Sequence, residues 1–227
     1  MLYIVATPIG NLEDLSLRQA KTLTSVDYIL AEDTRSTGLL ILKIKDLFGL
    51  ATKSSQRLIS YYKEKEFEKL PEVLDLLKEN KEVALISQSG LPLISDPGFL
   101  LVNHVIKEKI PFTVIPGPTA STTAVVLSGF NPGNMFFVGF IPKKNNEIIK
   151  LIRKMLEIKK IIPETIFTAY DSPHRVNKTL EILNEVNPTA DVAVAREITK
   201  KFEEVVRGKP SELINKSFRG EITLVIK

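Results

Sequence analysis

With 227 residues, 44% of them apolar and 26% charged, the chain has the composition of a soluble globular protein long enough to bury a substantial core in one large or two small domains. It has no cysteine and only two histidines, His104 and His174, which excludes a disulfide framework, a thiolate metal site and a histidine metal cluster. The net charge of +4 is unevenly spread: residues 1–117 hold 14 Lys+Arg against 15 Asp+Glu, net −1, and residues 118–227 hold 17 against 12, net +5, so attraction for polyanions belongs to the second part. No run of about 18 apolar residues suggests a membrane span. The N-terminus, Met1 to Ala6, has no basic region before its apolar run and reads as a first strand rather than a signal peptide, so a cytoplasmic location is expected.

Leu2 to Ala6 is predicted as a strand, ended by the Thr7-Pro-Ile-Gly-Asn11 turn. A helix follows from about Ser16 to Ser25 with Leu17, Ala20 and Leu23 on one face. Tyr28 to Ala31 reads as a strand running into Glu32-Asp33-Thr34-Arg35, and Ser36 to Phe48 as a helix stopped at Gly49. After a polar stretch and the short strand Leu58 to Tyr61, the pattern from Glu64 to Asn80 is helical. It turns Leu70, Val73, Leu74 and Leu77 inward, with Pro71 expected to kink or split it.

Val83 to Ile86 is a short apolar run without alternation, the pattern of a buried strand. The segment after it, Ser87 to Ile94, is too long and too oddly composed for a plain connector. It closes with Ser95-Asp96-Pro97-Gly98, where Asp96 is expected to cap a helix whose first residue is Pro97 and which ends before Pro111. Phe112 to Ile115 is predicted as another buried strand, leading through Pro116-Gly117-Pro118 into a helix of small residues from Thr119 to Leu127. Strand and helix alternate throughout this part, which predicts an α/β fold with a mostly parallel, doubly wound sheet. The glycine and proline break from Ser128 to Asn134 closes the boundary region, and the domains are expected to be 1–117 and 118–227.

The second part is expected to contain strands at Phe136 to Phe140, Thr165 to Tyr170, Asp191 to Arg196, Phe202 to Val206 and Glu221 to Ile226. Its helices are expected from Asn145 to Lys159, from Ser172-Pro173 onward, and near Ser211 to Lys216. The first of these lies in a basic run, 143–160, with seven Lys or Arg against Glu147 and Glu157.

In open α/β sheets, ligands bind beyond the carboxyl ends of the strands. Here three such ends are proline- or glycine-rich, at Pro8 to Gly10, Gly90 to Pro97 and Pro116 to Pro118, and a fourth carries Glu32-Asp33. Proline removes backbone donors and glycine allows close approach, so these loops offer mainly carbonyl acceptors. They suit a cationic or donor-rich ligand such as an adenine amino group, an α-amino group or a sulfonium, and suit a triphosphate poorly. Neither G-x-G-x-x-G after a strand nor G-x-x-x-x-G-K-[ST] occurs.

Six segments in order, Thr7 to Leu12, Ala31 to Arg35, Leu93 to Gly98, Pro116 to Pro118, Ser172 to Arg175 and Ala195 to Lys200, resemble the ribosomal RNA small subunit methyltransferase I family of the tetrapyrrole methylase superfamily. The resemblance covers essentially the whole chain. It implies a two-domain α/β fold with S-adenosylmethionine in the cleft between the domains, a homodimer, and 2′-O-methylation of a cytidine in the decoding region of small-subunit (16S) ribosomal RNA. Two positions depart from the family pattern: Gln88 stands where an acid is usual, and Leu91 where threonine is common.

The cofactor set expected from the loops and the resemblance is Pro8, Gly10, Ser87, Gln88, Ser89, Gly90, Leu91, Pro92, Pro116, Gly117, Pro118, Thr119, Ala120 and Arg196. Asp33, Glu197 and Lys200 are candidates for polarising the ribose hydroxyl, and Asp33 could equally cap the helix after it. Arg35, Lys143, Lys144, Lys150, Lys154 and Arg175 are the expected RNA contacts, and a solvated helix face would carry the same lysines. His104 is expected to be an ordinary, partly buried helix residue. Two alternatives stand beside this reading: methylation of a small tetrapyrrole, against which stand the matched RNA-branch motifs and the basic second part, and ribosome binding without methyl transfer, which Gln88 and Leu91 would suit.

Overall fold

A computed structural model describes residues 1–131 and 133–227. Pro132, in the glycine and proline break, lies outside the described residues. The chain folds as two compact units, Met1–Thr119 and Ala120–Lys227. No helix among the described residues is long and apolar enough to cross a membrane.

The first unit holds strands β1 (Leu2–Val5), β2 (Tyr28–Ala31), β3 (Arg57–Ser60), β4 (Val83–Ile86) and β5 (Phe112–Ile115), and helices α1 (Leu17–Ser25), α2 (Thr34–Phe48), α3 (Glu66–Lys78) and α4 (Phe99–Lys107). The strands form one sheet in the order β3-β2-β4-β1-β5, and every pairing is parallel. Alternate residues of β1, β2 and β4 feed two cores. Leu2, Ile4, Leu30, Val83 and Leu85 meet Leu70, Val73, Leu74 and Leu77 of α3 and Leu101 and Val105 of α4. Val5, Ile29, Ala31, Ala84 and Ile86 meet Ala20 and Leu23 of α1 and Ile44 of α2. Burying each such Leu, Ile or Val contributes roughly 1.5–3 kcal/mol, and two helix-covered faces explain why β4 is apolar without alternation.

Four local expectations change. Leu17 is exposed, because a capping box between Ser16 and Gln19 turns Ala20, Leu23 and Gln19 inward instead. α3 runs unbroken through Pro71; the carbonyl left without its amide partner belongs to the solvent-exposed Phe67. β5 lies at a sheet edge, where Phe112 and Val114 stay open and only Ile115 is fully buried. Asp96 does not cap α4, which begins two residues later after Gly98 at φ 122° with no side-chain cap of its own. Glu66, the first residue of α3, does that work: its Oε1 accepts from the backbone N–H groups of Gly98 (3.1 Å), Leu100 (3.0 Å) and Leu101 (3.4 Å).

The second unit holds α5 (Ala120–Ser128), β6 (Asn134–Phe140), α6 (Asn145–Ile161), β7 (Thr165–Asp171), α7 (Val176–Val186), β8 (Val192–Arg196), β9 (Glu204–Gly208), α8 (Pro210–Leu213) and β10 (Ile222–Ile226). Its sheet has the order β6-β7-β10-β8-β9. β6 and β7 run parallel, while β10 is antiparallel to β7 and β8, and β9 to β8. Phe167, Val192, Val194, Ile222 and Leu224 pack against Ile148, Ile152 and Met155 of α6 and Leu180 and Leu183 of α7. The helix expected from Ser172 starts only at Val176, because Ser172–Arg175 forms a turn in which the Ser172 carbonyl accepts from both Arg175 and Val176.

Candidate active site

Parallel pairing places the carboxyl ends of β2, β4 and β1 side by side, so the loops after them meet. The β1 and β4 loops are joined: Thr7 N–H donates to the Gly90 carbonyl (2.8 Å) and Gly90 N–H to the Thr7 carbonyl (3.1 Å). Thr7 Oγ1 donates to the Ser87 carbonyl at 3.1 Å, and Ser87 Oγ reaches the Gly90 carbonyl at 3.2 Å. Gly90 sits at φ 82°, a conformation that favours glycine, and both its backbone groups are spent on Thr7.

Beside this joint lies an open cavity of about 660 Å³, counting the solvent at its mouth. Pro8, Leu12, Ala31, Leu39, Leu40 and Ile86 give it an apolar wall, and Glu32, Asp33, Ser36, Ser87 and Gln88 give it a polar one. Of the expected cofactor residues, Pro8, Ser87 and Gln88 line this cavity, and so does the catalytic candidate Asp33. Gly10, Ser89, Gly90, Leu91, Pro92 and Pro116 to Thr119 are not among the lining residues, and Ala120 opens α5 in the second unit. Gly117 has a packing reason for its identity: a Cβ there would collide with Gln19 Nε2 and Ala6 Cβ. Gln19 Nε2 donates to the Ala6 carbonyl at 2.8 Å, so the β5 exit, α1 and the end of β1 interlock at a place where only glycine fits.

Asp33 is the N-cap of α2. Its Oδ1 accepts from Arg35 N–H (2.7 Å) and Ser36 N–H (3.2 Å), and Oδ2 from Ser36 Oγ (3.1 Å). The Ser36 and Arg35 amides hold this carboxyl below the usual range. Arg35 itself is exposed.

Asp96 is the residue whose local pattern misleads, since it reads as a cap and is not one. Burial pushes its carboxyl up to about 6, nearby Glu32 pushes the same way, and a hydrogen bond from Ser87 opposes both. Ser87 and Glu32 both line the cavity, so Asp96 adjoins it through them. No local pattern marks this: Asp96 sits in a Ser-Asp-Pro-Gly string that reads as helix-start chemistry, and its burial comes from the tertiary fold.

A pH dependence follows. Because the native pKa of about 6 exceeds the ordinary 3.8, the folded state holds the proton more tightly, and stability falls as pH rises from about 4 to about 6 and stays lowered above it. Asp96→Asn is therefore expected to stabilise the protein by roughly 1–3 kcal/mol at pH 7.5 and to be near neutral at pH 4. Urea unfolding of both proteins across that range checks it. An equal difference at pH 4 and pH 7.5 would mean that no buried charge is involved.

In the second unit, Arg196, Glu197 and Lys200 lie at and just beyond the end of β8. Arg196 Nε donates to Glu204 Oε2 (2.6 Å), which is half exposed, so this pair ties β8 to β9. Glu197 sits at φ 49° and its Oε1 accepts from Lys200 Nζ (3.1 Å) and Glu221 N–H (2.9 Å). Lys200 Nζ also donates to Glu221 Oε2 at 2.8 Å. The Glu221 amide, ahead of Lys200, holds Glu197 below the usual carboxylate range against some burial. Burial works against the Lys200 ammonium, but Glu221 and Glu197 outweigh it and its pKa is raised. The arrangement is thus a fixed ammonium held between two carboxylates.

The expected RNA residues divide into two kinds. Arg175 is committed to the protein: its guanidinium donates to the Ile141 and Pro142 carbonyls (3.3 and 3.4 Å) and lies 3.3 Å from Asp171 Oδ1. Lys143, Lys144, Lys150 and Lys154 are exposed; the first two precede α6, and Lys150 and Lys154 lie on its side away from the buried Ile148, Ile152 and Met155. Lys144 approaches Glu147 at 3.7 Å between mostly exposed side chains, a pair of little energy.

The tetrapyrrole (corrin/porphyrin) methylase family profile matches residues 1–214. The chain belongs to that family. This tetrapyrrole methylase is 40% identical, over 99% of its length and 94% of the relative's, to a protein of Hydrogenobaculum sp. (strain Y04AAS1) named ribosomal RNA small subunit methyltransferase I. It is 41% identical, over 99% and 97%, to a Thermotoga maritima protein of the same name. Among solved structures, the methyltransferase CobJ matches with a TM-score of 0.69 at 16% identity, covering 99% of this chain and 92% of that one, a likeness of fold.

Proposed function

We propose that this protein transfers a methyl group from S-adenosylmethionine to the 2′-hydroxyl of a cytidine in small-subunit ribosomal RNA, acting in the cytoplasm as a homodimer. The observation that carries the reading is the cavity at the carboxyl edge of the first sheet, which is lined by apolar side chains together with Glu32 and Asp33, and whose lining residues Ser87 and Glu32 adjoin the Asp96 carboxyl held at a cost by burial. That donor set fits S-adenosylmethionine, which has an apolar and aromatic body, a sulfonium and an ammonium. A cationic group there would relieve the repulsion between Glu32 and Asp96, and Gln88, uncharged, would contribute hydrogen bonds only. When bound, the cofactor supplies an electrophilic methyl. The protein has to hold the acceptor oxygen in line with it and favour loss of the hydroxyl proton. Lys200, kept protonated by Glu197 and Glu221, is suited to stabilising the developing alkoxide, and Glu197 to orienting Lys200. The full-length relatives named ribosomal RNA small subunit methyltransferase I support RNA over a small tetrapyrrole as acceptor, as does the basic α6.

The test is methyl transfer from radiolabelled S-adenosylmethionine to small ribosomal subunits lacking the modification, with calorimetric titration of the cofactor alongside. Expected are saturable heat and label recovered in a cytidine 2′-O-methyl group. Cofactor heat with label entering only a tetrapyrrole acceptor would replace the substrate, and neither heat nor label would reduce the protein to a binding module.

A further inference from the structure

From the geometry we infer that Phe140 is a stacking platform for an unpaired RNA base, set next to the lysines that take the adjoining phosphates. This deepens the RNA reading above and rests on it.

β6 is the edge strand of the second sheet, and its pairing with β7 shifts register between Phe137 and Phe140, where Gly139 takes φ 78°. Such a bulge re-aims the side chain that follows it. Phe140 is left 59% exposed, yet it is not loose: its ring meets Tyr170 at 5.4 Å between centroids and 64° between planes, and Tyr170 meets Phe137 at 4.9 Å and 62°. Edge-to-face contacts fix a ring while leaving much of its surface uncovered.

The backbone beyond it is fixed as well. Ile141 N–H donates to the Tyr170 carbonyl at 2.8 Å, and Arg175 grips the Ile141 and Pro142 carbonyls. Arg175 in turn is oriented by Asp171, whose side chain is fully buried and accepts from Thr179 Oγ1 (2.6 Å) and Ser172 N–H (2.7 Å). A buried carboxylate thus spends its charge on rigidifying an exposed loop, which a plain connector would not need.

Lys143 and Lys144 follow at once, then the exposed Lys150, Arg153 and Lys154 of α6. Among the described residues no ion pair holds Lys143, Lys150, Arg153 or Lys154. Three and four residues of chain reach at most roughly 11 and 14 Å, so Lys143 and Lys144 stay close enough to Phe140 for their ammonium groups to meet the phosphates of a nucleotide stacked on it. An exposed ring beside unpaired cations is the chemistry of single-stranded nucleic acid binding, in which stacking tolerates any base and phosphates supply the salt dependence. A lone exposed phenylalanine would be unremarkable; the fixed ring and the charge of its surroundings choose the partner.

The experiment measures equilibrium binding of a mixed-sequence oligoribonucleotide, single-stranded and as a duplex, across a salt series, for the full chain and for Phe140→Ala, Phe140→Trp and Lys143→Gln/Lys144→Gln. Phe140→Ala should weaken single-strand binding about tenfold with the salt slope unchanged, leave duplex binding alone, and be rescued by Phe140→Trp. The lysine variant should instead flatten the slope. Full-chain binding that Phe140→Ala does not alter would overturn the stacking role and leave the phosphate reading standing. No RNA binding by the full chain would overturn both. Unchanged RNA affinity with weakened binding to assembled subunits, or with an altered sedimentation coefficient, would assign the ring to a protein contact and overturn the proposal.

Discussion

Replacing Glu66 with alanine should destabilise the first unit by roughly 3 kcal/mol, because one carboxylate oxygen serves three backbone donors. Gly98 and Leu101 are buried and Leu100 is partly so, and α4 begins without a side-chain cap of its own. Truncation would leave those amides unsatisfied at the positive end of α4 and take away the acceptor 3.4 Å from the buried Tyr61 hydroxyl. Burial, ahead of the Glu66 carboxylate, holds that hydroxyl well above the usual tyrosine range, so the phenol keeps its proton throughout. Glu66→Gln keeps an acceptor oxygen and should recover most of the loss. Urea unfolding with hydrogen exchange at the α4 amides decides it: a loss below about 1 kcal/mol with unchanged protection at Leu100 and Leu101 would show that solvent replaces the cap.

Consequences reach the candidate site, since α4 follows the segment carrying Asp96. If the N-terminus of α4 frays, the path from Gly90 to Gly98 loses its far anchor while keeping the near one, the Thr7 and Gly90 bridge. Cofactor affinity should fall with stability in Glu66→Ala, whereas Asp96→Asn should separate the two by raising stability while removing one of the cavity's charges.

The contrast between Glu66 and Asp96 marks where sequence reading stops. Strand and helix succession was legible because apolar runs and proline or glycine breaks are local, and the β2, β4 and β5 spans fall where composition puts them. The cap of α4 was not legible, since its acceptor lies more than thirty residues upstream and the nearby Asp96 has every local qualification for the job. Edge position misled in the same way at β5: Phe112 and Val114 are apolar enough for a core strand, and only the sheet order shows that one side of them is open. Leu17 matched the inward face of α1 by spacing, and the capping box at Ser16 set the helix differently. At the candidate site, Pro8, Asp33, Ser87 and Gln88 were readable as strand-end residues. Glu32 was readable in the same way, as the neighbour of Asp33, whereas the apolar wall from α2 and the half-buried Asp96 needed the fold to bring them to the site.

For RNA binding the largest change is expected from Lys143→Gln, Lys144→Gln, Lys150→Gln and Lys154→Gln together. All four side chains are exposed, and the buried stripe of α6 is Ile148, Ile152 and Met155, so the substitutions leave the core alone and remove only the weak Lys144 and Glu147 pair. Every phosphate of a single strand that is no longer neutralised should reduce the log–log salt slope by roughly 0.7, so four give a reduction of about 3 and an affinity loss of about two to three orders of magnitude near 0.1 M salt. The loss should be the same for all sequences, because phosphates carry no base identity. Titrating with S-adenosylmethionine should give the same heat as for the unaltered protein, since the cavity that the cofactor is proposed to fill is built from the first unit alone. Fluorescence anisotropy of a labelled single strand over a salt series measures the slope directly. A slope unchanged in the fourfold variant would make α6 a solvated face, and the +5 carried by residues 143–160 would then serve solubility rather than recognition.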